Sequence, residues 1–146
     1  MDIVALGTVA DMVPLTGVNR AFVVQGLKVM ARRKNVGLSA LVDVSGIDEK
    51  PNTYHLGFLL GPRINAGGRV GESYLGAQLL STHSKDKANE LAKKLDKYNS
   101  ERREIEEDVF REAKLLVDKK IENNLCQSVV FISGKDWHQG VLGIIA

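Results

Sequence analysis

The chain has 146 residues, of which 44% are hydrophobic and 26% are charged, and its formal net charge is +2. This much apolar material excludes a disordered chain and is enough for one hydrophobic core or two partial ones. The small net charge excludes attraction of nucleic acid by the whole surface, so any nucleic-acid site has to be local.

The cysteine content and the length of the apolar runs indicate in which cellular compartment the protein is expected. Cys126 is the only cysteine, which excludes an internal disulfide and a zinc site with several cysteine ligands. No apolar run approaches the roughly 20 residues that cross a bilayer, and no basic secretory segment follows Met1. We therefore expect a cytoplasmic protein without a membrane partner. Apolar residues beside both termini also predict an internal piece of a longer protein, because natural termini are usually polar.

The first part of the chain is predicted to be mainly helical. Residues 2–10 are apolar, and their periodicity fits a helix or a buried strand. Apolar residues recur at helical spacing over 19–33, where a basic run suits a helix C-terminus. Short helices are predicted for 36–44 and 75–81, separated by a loop at 45–52 that is rich in turn-forming residues.

The segment GPRINAGGRVGE contains four glycines and a proline in twelve residues, which predicts a loop with unusual backbone freedom. Arg63 and Arg69 bracket two of these glycines, and a guanidinium presents a fork that matches phosphate oxygens. Asn65 adds a neutral donor and acceptor. The segment is therefore either a phosphate-binding loop or a surface turn with solvated arginines.

A long helix is predicted after Ser84, a good N-cap, because no Gly or Pro occurs until beyond Asn124. A helix of roughly 35 to 40 residues exceeds the usual globular length and typically connects two lobes. Arg102 and neighbouring basic residues could contact backbone phosphates from this helix. They alternate with acidic residues, however, which is the usual pattern of a solvated face.

The end of the chain combines a predicted strand with a candidate polar site. The compact, β-branched residues at 127–133 predict a buried strand that begins a new α/β domain. Trp137 and His138 follow after a short turn, where His138 could meet a phosphate. A packed histidine with one hydrogen bond is the simpler interpretation. His55 and His83 lack metal-site spacing, and no function is assigned to them.

Asp11 lies between an apolar segment and the residues MVPL. A carboxylate at the edge of a core could hold a hard cation. A lone aspartate is more often a helix cap or a turn residue.

Four segments closely resemble, in this order and at these separations, consecutive signatures of the RecJ exonuclease family within the DHH phosphoesterase superfamily. They are ALGTVADMVPL, GPRINAGGR, LDKYNSERREIE and WHQGVLGIIA. The resemblance spans essentially the whole chain, and its strength lies in the four motifs together. Gly67 stands where many relatives have Ala, and Gln139 where many have Glu.

The resemblance implies an α/β enzyme of two lobes, of which this segment is mainly α-helical, with a long connecting helix and the start of a second α/β lobe. Residues 1–82 would be the truncated end of the DHH catalytic lobe, and 83–124 the connector. Residues 125–146 would begin the second lobe, called DHHA1. The resemblance also favours a helix for residues 2–10.

Site residues follow from the same resemblance. Asp11 matches the last metal-ligand aspartate of a site for two Mn²⁺ or Mg²⁺ ions, whose other ligands belong to upstream motifs absent from this sequence. Arg63, Asn65 and Arg69 match the loop that approaches the DNA backbone, and Arg69 is the strongest candidate. His138 matches the histidine that faces the cleft between the lobes, where it would position a phosphate.

The activity implied is metal-dependent 5′ to 3′ hydrolysis of single-stranded DNA in repair and recombination, with release of 5′ mononucleotides. The two ions would activate a water and stabilise charge on the scissile phosphodiester. Partners would be single-stranded DNA and, for the longer protein, a helicase and a single-strand-binding protein. The segment alone is expected to be inactive, to hold no metal ion and to self-associate through exposed apolar surface.

Two other functions stay open. One is a phosphodiesterase of the DHH superfamily that degrades short oligonucleotides or cyclic dinucleotides, although WHQGVLG replaces the glycine-run-plus-His signature typical of those relatives. The other is a non-catalytic, nucleic-acid-binding scaffold that has lost its metal ions, although the presence of Asp11 argues mildly against it. The segment could also bind DNA weakly through its loop and long helix without hydrolysing it.

Overall fold

The computed structural model describes residues 1–122 and 129–146, and within them the regular structure is helical, without a strand. This confirms the prediction of a mainly α-helical segment. A π-helix, His55–Leu60, runs directly into α4. The α-helices are α1 (Asp2–Ala10), α2 (Gly17–Met30), α3 (Val36–Val44), α4 (Gly61–Val70), α5 (Leu75–Ser81), α6 (Lys85–Glu122) and α7 (Gln139–Ile145).

Local signals account for several helix boundaries. The side chain of Asn35 caps α3 by accepting a hydrogen bond from the Leu38 N–H at 2.9 Å. Ser84 caps α6 by accepting one from the Lys87 N–H at 3.3 Å. The 38 residues of α6 agree with the predicted length. The helix predicted for 19–33 ends earlier, because Arg33 adopts a left-handed φ of 51°.

The chain forms two compact units, residues 1–99 and residues 100–146. In the first unit α1 packs on α2, on the π-helix and on α4, while α3 packs on α5. The beginning of α6 adds Ala88, Leu91, Ala92 and Leu95 to the same core. Six leucines in this unit are almost completely buried, each contributing roughly 1.5–3 kcal/mol of burial free energy. They are Leu38, Leu41, Leu56, Leu60, Leu79 and Leu95.

The predicted loop at GPRINAGGRVGE is wrong over residues 61–70, which form α4. A Cβ on Gly61 would lie 3.0 Å from the Ala10 Cβ, and one on Gly67 would lie 2.8 Å from the Glu72 carbonyl oxygen. These glycines therefore serve close packing rather than backbone freedom. Pro62 lies in the first turn after the π-helix, so the residue that lacks a backbone N–H lies where the helical winding changes.

In the second unit the chain before α7 is hydrogen-bonded to the end of α6, where Lys120 Nζ donates to the Phe131 carbonyl oxygen. Val109, Ala113 and Val141 are the buried hydrophobic residues among its described positions. The Trp137 indole covers Gly134, where any Cβ would overlap the ring. Its Nε1 donates a hydrogen bond to Glu112 Oε2 at 2.8 Å. Trp137 is thus a packing residue.

The strand predicted for 127–133 is wrong for its described part. Residues 127 and 128 lie outside the described residues, and 129–133 have no regular structure. Val129 is 65% exposed and Phe131 81% exposed, so this segment is not buried. A strand needs a neighbour to pair its N–H and C=O groups, and the described part of the chain offers none.

No helix in the ranges 1–122 and 129–146 is long and apolar enough to span a membrane.

Candidate nucleic-acid interface

Three of the predicted phosphate-binding residues, Arg63, Asn65 and Arg69, lie on one continuous helical run, residues 53–70. Hydrogen bonds around the buried His55 secure its beginning. His55 Nδ1 accepts from the Asn52 N–H at 3.2 Å, and Asn52 Oδ1 accepts from the His55 N–H at 3.1 Å. His55 Nε2 lies 3.3 Å from Glu49 Oε1. The structure therefore gives His55 a structural position.

Arg63 is engaged within the first unit. Its Nε donates to Asp96 Oδ1 at 2.8 Å, and its Nη1 donates to the Leu59 carbonyl oxygen at 2.8 Å. The Arg63 side chain is only 15% exposed, and that of Asp96 is 33% exposed. The guanidinium thus ties α4 to α6 and binds a carbonyl of the π-helix. A phosphate would have to use its remaining N–H groups, so direct DNA contact by Arg63 stays a prediction.

Asn65 and Arg69 are both exposed and lie four residues apart on α4. This spacing places them on one face, about one turn from each other. The guanidinium at position 69 lies in the last turn of α4, where the helix dipole favours a cation. The pair can therefore approach an anionic ligand from the same side.

A cluster around Glu72 holds the chain that follows α4. Its carboxylate accepts hydrogen bonds from Lys94 Nζ, from the Tyr74 hydroxyl and, at 3.2 Å, from the Tyr98 hydroxyl. The hydrogen bond from Lys94, followed by that from Tyr74, holds the pKa of Glu72 below its ordinary value. The same contacts raise the pKa of Lys94 and of Tyr74. Lys94 and Tyr98 are 22 and 26 residues distant in sequence, so no local pattern reveals this cluster.

Asp11 is exposed and follows α1, where its N–H donates to the Gly7 carbonyl oxygen at 3.0 Å. Because Ala10 contacts Gly61, Asp11 lies next to the beginning of α4. Across residues 1–122 and 129–146, no group of three or more Asp, Glu, His or Cys side chains could hold a metal ion. A carboxylate is an oxygen ligand that Mn²⁺ and Mg²⁺ prefer, but Asp11 does not belong to such a group within the described residues.

Arg102 and His138 belong to the second unit. Arg102 Nη1 donates to Glu106 Oε2 one turn further along α6, and the Arg102 side chain is 12% exposed. It is therefore largely buried rather than part of a solvated face. His138 is exposed and caps α7, because its Nδ1 accepts from the Gly140 N–H at 3.1 Å. Nε2 is consequently the ring atom with which His138 could meet a phosphate.

Comparison with known proteins gives a consistent result, although no protein-family model matches the chain. The chain is 41% identical over 154 residues to the single-stranded-DNA-specific exonuclease RecJ of Haemophilus influenzae, covering 100% of this chain and 26% of that protein. The corresponding protein of Salmonella typhimurium is 40% identical over 149 residues, with the same coverage. That of Thermus thermophilus is 36% identical over 145 residues, which cover 99% of this chain and 21% of the relative.

Solved structures agree. A crystal structure of RecJ from Thermus thermophilus in complex with Mn²⁺ matches with a TM-score of 0.87 and 34% identity, over 99% of this chain and 21% of that one. A crystal structure of exonuclease RecJ bound to manganese matches with a TM-score of 0.85 and 34% identity, over 99% of this chain and 36% of that one. Fold and sequence therefore point to the same proteins.

The relatives named above are exonucleases, and the curated ones are specific for single-stranded DNA. The chain is similar over its whole length to one segment of RecJ proteins, as its motifs predicted. It spans only 26% of the length of the first two curated relatives.

Proposed function

We propose that the chain is part of a metal-dependent single-stranded-DNA exonuclease that works from 5′ to 3′ in DNA repair and recombination and releases 5′ mononucleotides. The observation that carries the proposal is the match to RecJ proteins along the whole chain, at 41% identity in sequence and with a TM-score of 0.87 in structure. The proposal extends to a cytoplasmic setting, with a helicase and a single-strand-binding protein as partners of the longer protein.

In this proposal, residues 1–82 close the catalytic lobe, residues 83–124 connect the lobes and residues 125–146 begin the second lobe. The uninterrupted helix α6, Lys85–Glu122, supports the assignment of the middle segment as a connector. The change from an apolar core in 1–99 to a mostly exposed terminal segment supports the assignment of an incomplete second lobe.

Asp11 is proposed as a ligand of one of two Mn²⁺ or Mg²⁺ ions. Such ions supply an activated water and stabilise developing charge on a phosphodiester. Support comes from its exposed carboxylate at the end of α1, next to the helix that carries the candidate phosphate ligands. Because one carboxylate cannot hold two ions, the segment alone is proposed to be inactive and free of metal.

The remaining residues are proposed to hold the DNA backbone. Asn65 and Arg69 would bind phosphate oxygens, since they are exposed on one face of α4. Arg63 would act mainly by keeping that helix in place, through Asp96. His138 would position a phosphate in the second unit. Arg102 is the weakest candidate, because Glu106 already engages its largely buried guanidinium.

Hydrolysis of 5′-phosphorylated single-stranded DNA with Mn²⁺ tests the proposal. The assay compares the longer protein that contains this sequence, its Asp11→Ala variant and the 146-residue chain. Activity is expected in the unsubstituted longer protein and in its Asp48→Ala variant, but not in the Asp11→Ala variant or in the 146-residue chain. Asp48→Ala is the matched control, because Asp48 is another exposed aspartate at a loop position.

Two results would redirect the assignment. A longer protein that cleaves dinucleotides but not long strands would be a phosphodiesterase of short oligonucleotides. Binding of single-stranded DNA without any hydrolysis would identify a scaffold.

A further inference from the structure

Two aromatic rings stack on each other at the surface of the first unit. Tyr54 and Phe58 have ring centroids 5.0 Å apart and an interplanar angle of 27°. Tyr54 is 59% exposed and Phe58 69% exposed. Single exposed apolar residues are common on proteins, but a stacked pair presents a larger, continuous aromatic surface to solvent.

The residues next to these rings show which side of the helical run faces the core. They lie four residues apart at the start of the helical run 53–70. Leu56 and Leu60, on the opposite side, are completely buried. Gly57 sits against α1, where an added Cβ would touch Val9 Cγ1 at 3.4 Å. The π-helix is therefore anchored on one side and presents its aromatic pair on the other.

The same exposed face continues into α4. Tyr54, Phe58, Asn65 and Arg69 follow one another at intervals of four, seven and four residues, and all four are exposed. Four residues are close to one turn, and seven close to two turns, of either a π-helix or an α-helix, so the four side chains stay on one side of the helical run. The distance along the axis from Phe58 to Arg69 is about 16 Å. One helical edge thus bears two aromatic rings followed by an amide and a guanidinium.

This combination fits single-stranded nucleic acid. Aromatic side chains stack on unpaired bases whatever their sequence, while basic groups follow the backbone. In a duplex, the faces of the bases are covered by their neighbours and cannot reach such a platform. π-Helices are also frequent at functional sites.

We propose that Tyr54 and Phe58 form a base-stacking platform for single-stranded DNA, and that Asn65 and Arg69 hold the adjoining phosphates. The choice of DNA rests on the proposed function, whereas the position of the platform rests on the exposed face of residues 53–70.

The test measures binding of a fluorescein-labelled oligo(dT) and of an abasic oligonucleotide of equal length, by fluorescence anisotropy at low salt. The 146-residue chain is compared with its Phe58→Leu variant, in which leucine keeps an apolar side chain but removes the ring. Stacking of one base contributes a factor of roughly 5 to 150, so the variant is expected to bind oligo(dT) at least about fivefold more weakly. Its affinity for the abasic strand should not change.

Phe110→Leu is the matched control, because Phe110 is 56% exposed but lies on α6 in the second unit. It should leave binding of both strands unchanged. Thermal melting followed by circular dichroism checks that each variant is folded. The Tyr54→Leu variant is a second test. It should lose the same affinity for oligo(dT), while its affinity for the abasic strand should not change.

Three results would overturn the platform. One is unchanged binding of oligo(dT) by both Phe58→Leu and Tyr54→Leu. Another is an equal loss on the two strands, which would indicate a change in fold or backbone contact. The last is no binding of oligo(dT) by the unsubstituted chain. The exonuclease assay on the longer protein decides the proposed function separately, since it does not depend on Phe58.

Discussion

Replacing Arg63 with methionine tests whether this residue stabilises the fold or binds DNA. The substitution keeps a long apolar stem but removes the hydrogen bonds to Asp96 Oδ1 and to the Leu59 carbonyl oxygen, both 2.8 Å long. It takes a cation away from a carboxylate on α6 and a donor away from a π-helix carbonyl. Both effects should lower the free energy of unfolding.

The magnitude follows from burial and charge. Hydrogen bonds to charged groups contribute about 1.5–3 kcal/mol each, and a buried partner left unpaired adds a desolvation cost. Asp96 is 33% exposed, so water will recover part of this loss. We therefore expect Arg63→Met to lower the free energy of unfolding by about 2–3 kcal/mol.

Urea denaturation followed by circular dichroism measures this change. Arg111→Met is the control, because Arg111 pairs with Asp108 at 3.4 Å where both side chains are more than 70% exposed. That loss should stay below about 0.5 kcal/mol. In a double-mutant cycle with Asp96→Asn, the two losses should add up to clearly more than the loss in the double variant.

The reasoning fails if Arg63→Met changes the free energy of unfolding no more than Arg111→Met does. Unchanged stability together with weaker binding of single-stranded DNA would instead assign Arg63 a direct phosphate contact.

Further predictions concern packing, pH and capping. Gly37→Ala should lower the free energy of unfolding, measured by urea denaturation, by about 3 kcal/mol, because its Cβ would overlap the Leu79 carbonyl. Gly7→Ala has open space around its Cβ and should raise the free energy of unfolding by up to about 1 kcal/mol. A change in the same direction for both variants would contradict this reasoning. The folded-state pKa of Glu72 is lowered, so its carboxylate stabilises the fold at neutral pH, and this stabilisation is lost as the pH falls through that pKa. The melting temperature of Glu72→Gln should therefore fall less steeply with decreasing pH than that of the unsubstituted chain. Parallel curves of melting temperature against pH would refute this. Ser84→Ala should cost about 1 kcal/mol in urea denaturation, and no loss would exclude a capping role.

Helices with local signals could be predicted from sequence. α3 and α5 have the predicted bounds, because each is a short apolar segment between turn-forming residues. α1 also has the predicted bounds, but its periodicity fitted a strand as well, and only the family resemblance favoured a helix. α6 was predictable from its periodicity and from the cap at Ser84. These features depend on neighbours within a few positions, which is the information that a single sequence contains.

The helical run 53–70 could not be predicted, because its glycines are explained by distant contacts. Gly61 meets Ala10 and Gly67 meets Leu95, across 51 and 28 positions of the sequence respectively. Composition alone favours a loop for such a segment. Only the packed fold shows that a side chain at either position would have no room.

The candidate site was predictable only as residue types. Its motif indicated phosphate binding, but the motif could not show that Arg63 is engaged by Asp96, 33 positions away. Nor could it show that Tyr54 and Phe58 share an exposed face with Asn65 and Arg69. That relation requires residues 53–70 to form one continuous helical run, whereas the glycines and the proline in this segment favour a loop.

The π-helix also decides where the chain can change length without disturbing the site. A π-helical turn within an α-helix accommodates about one additional residue, so deleting one position in 55–60 should restore α-helical winding. Residues before the deletion would keep nearly the same orientation relative to α4, so Tyr54 would stay on the side of the helix that carries Asn65 and Arg69. The same deletion inside α4 would rotate everything before it by about 100° and move it about 1.5 Å along the axis. Loss of Gly57 should therefore disturb the proposed site less than loss of Gly68, which lies between Asn65 and Arg69 on α4.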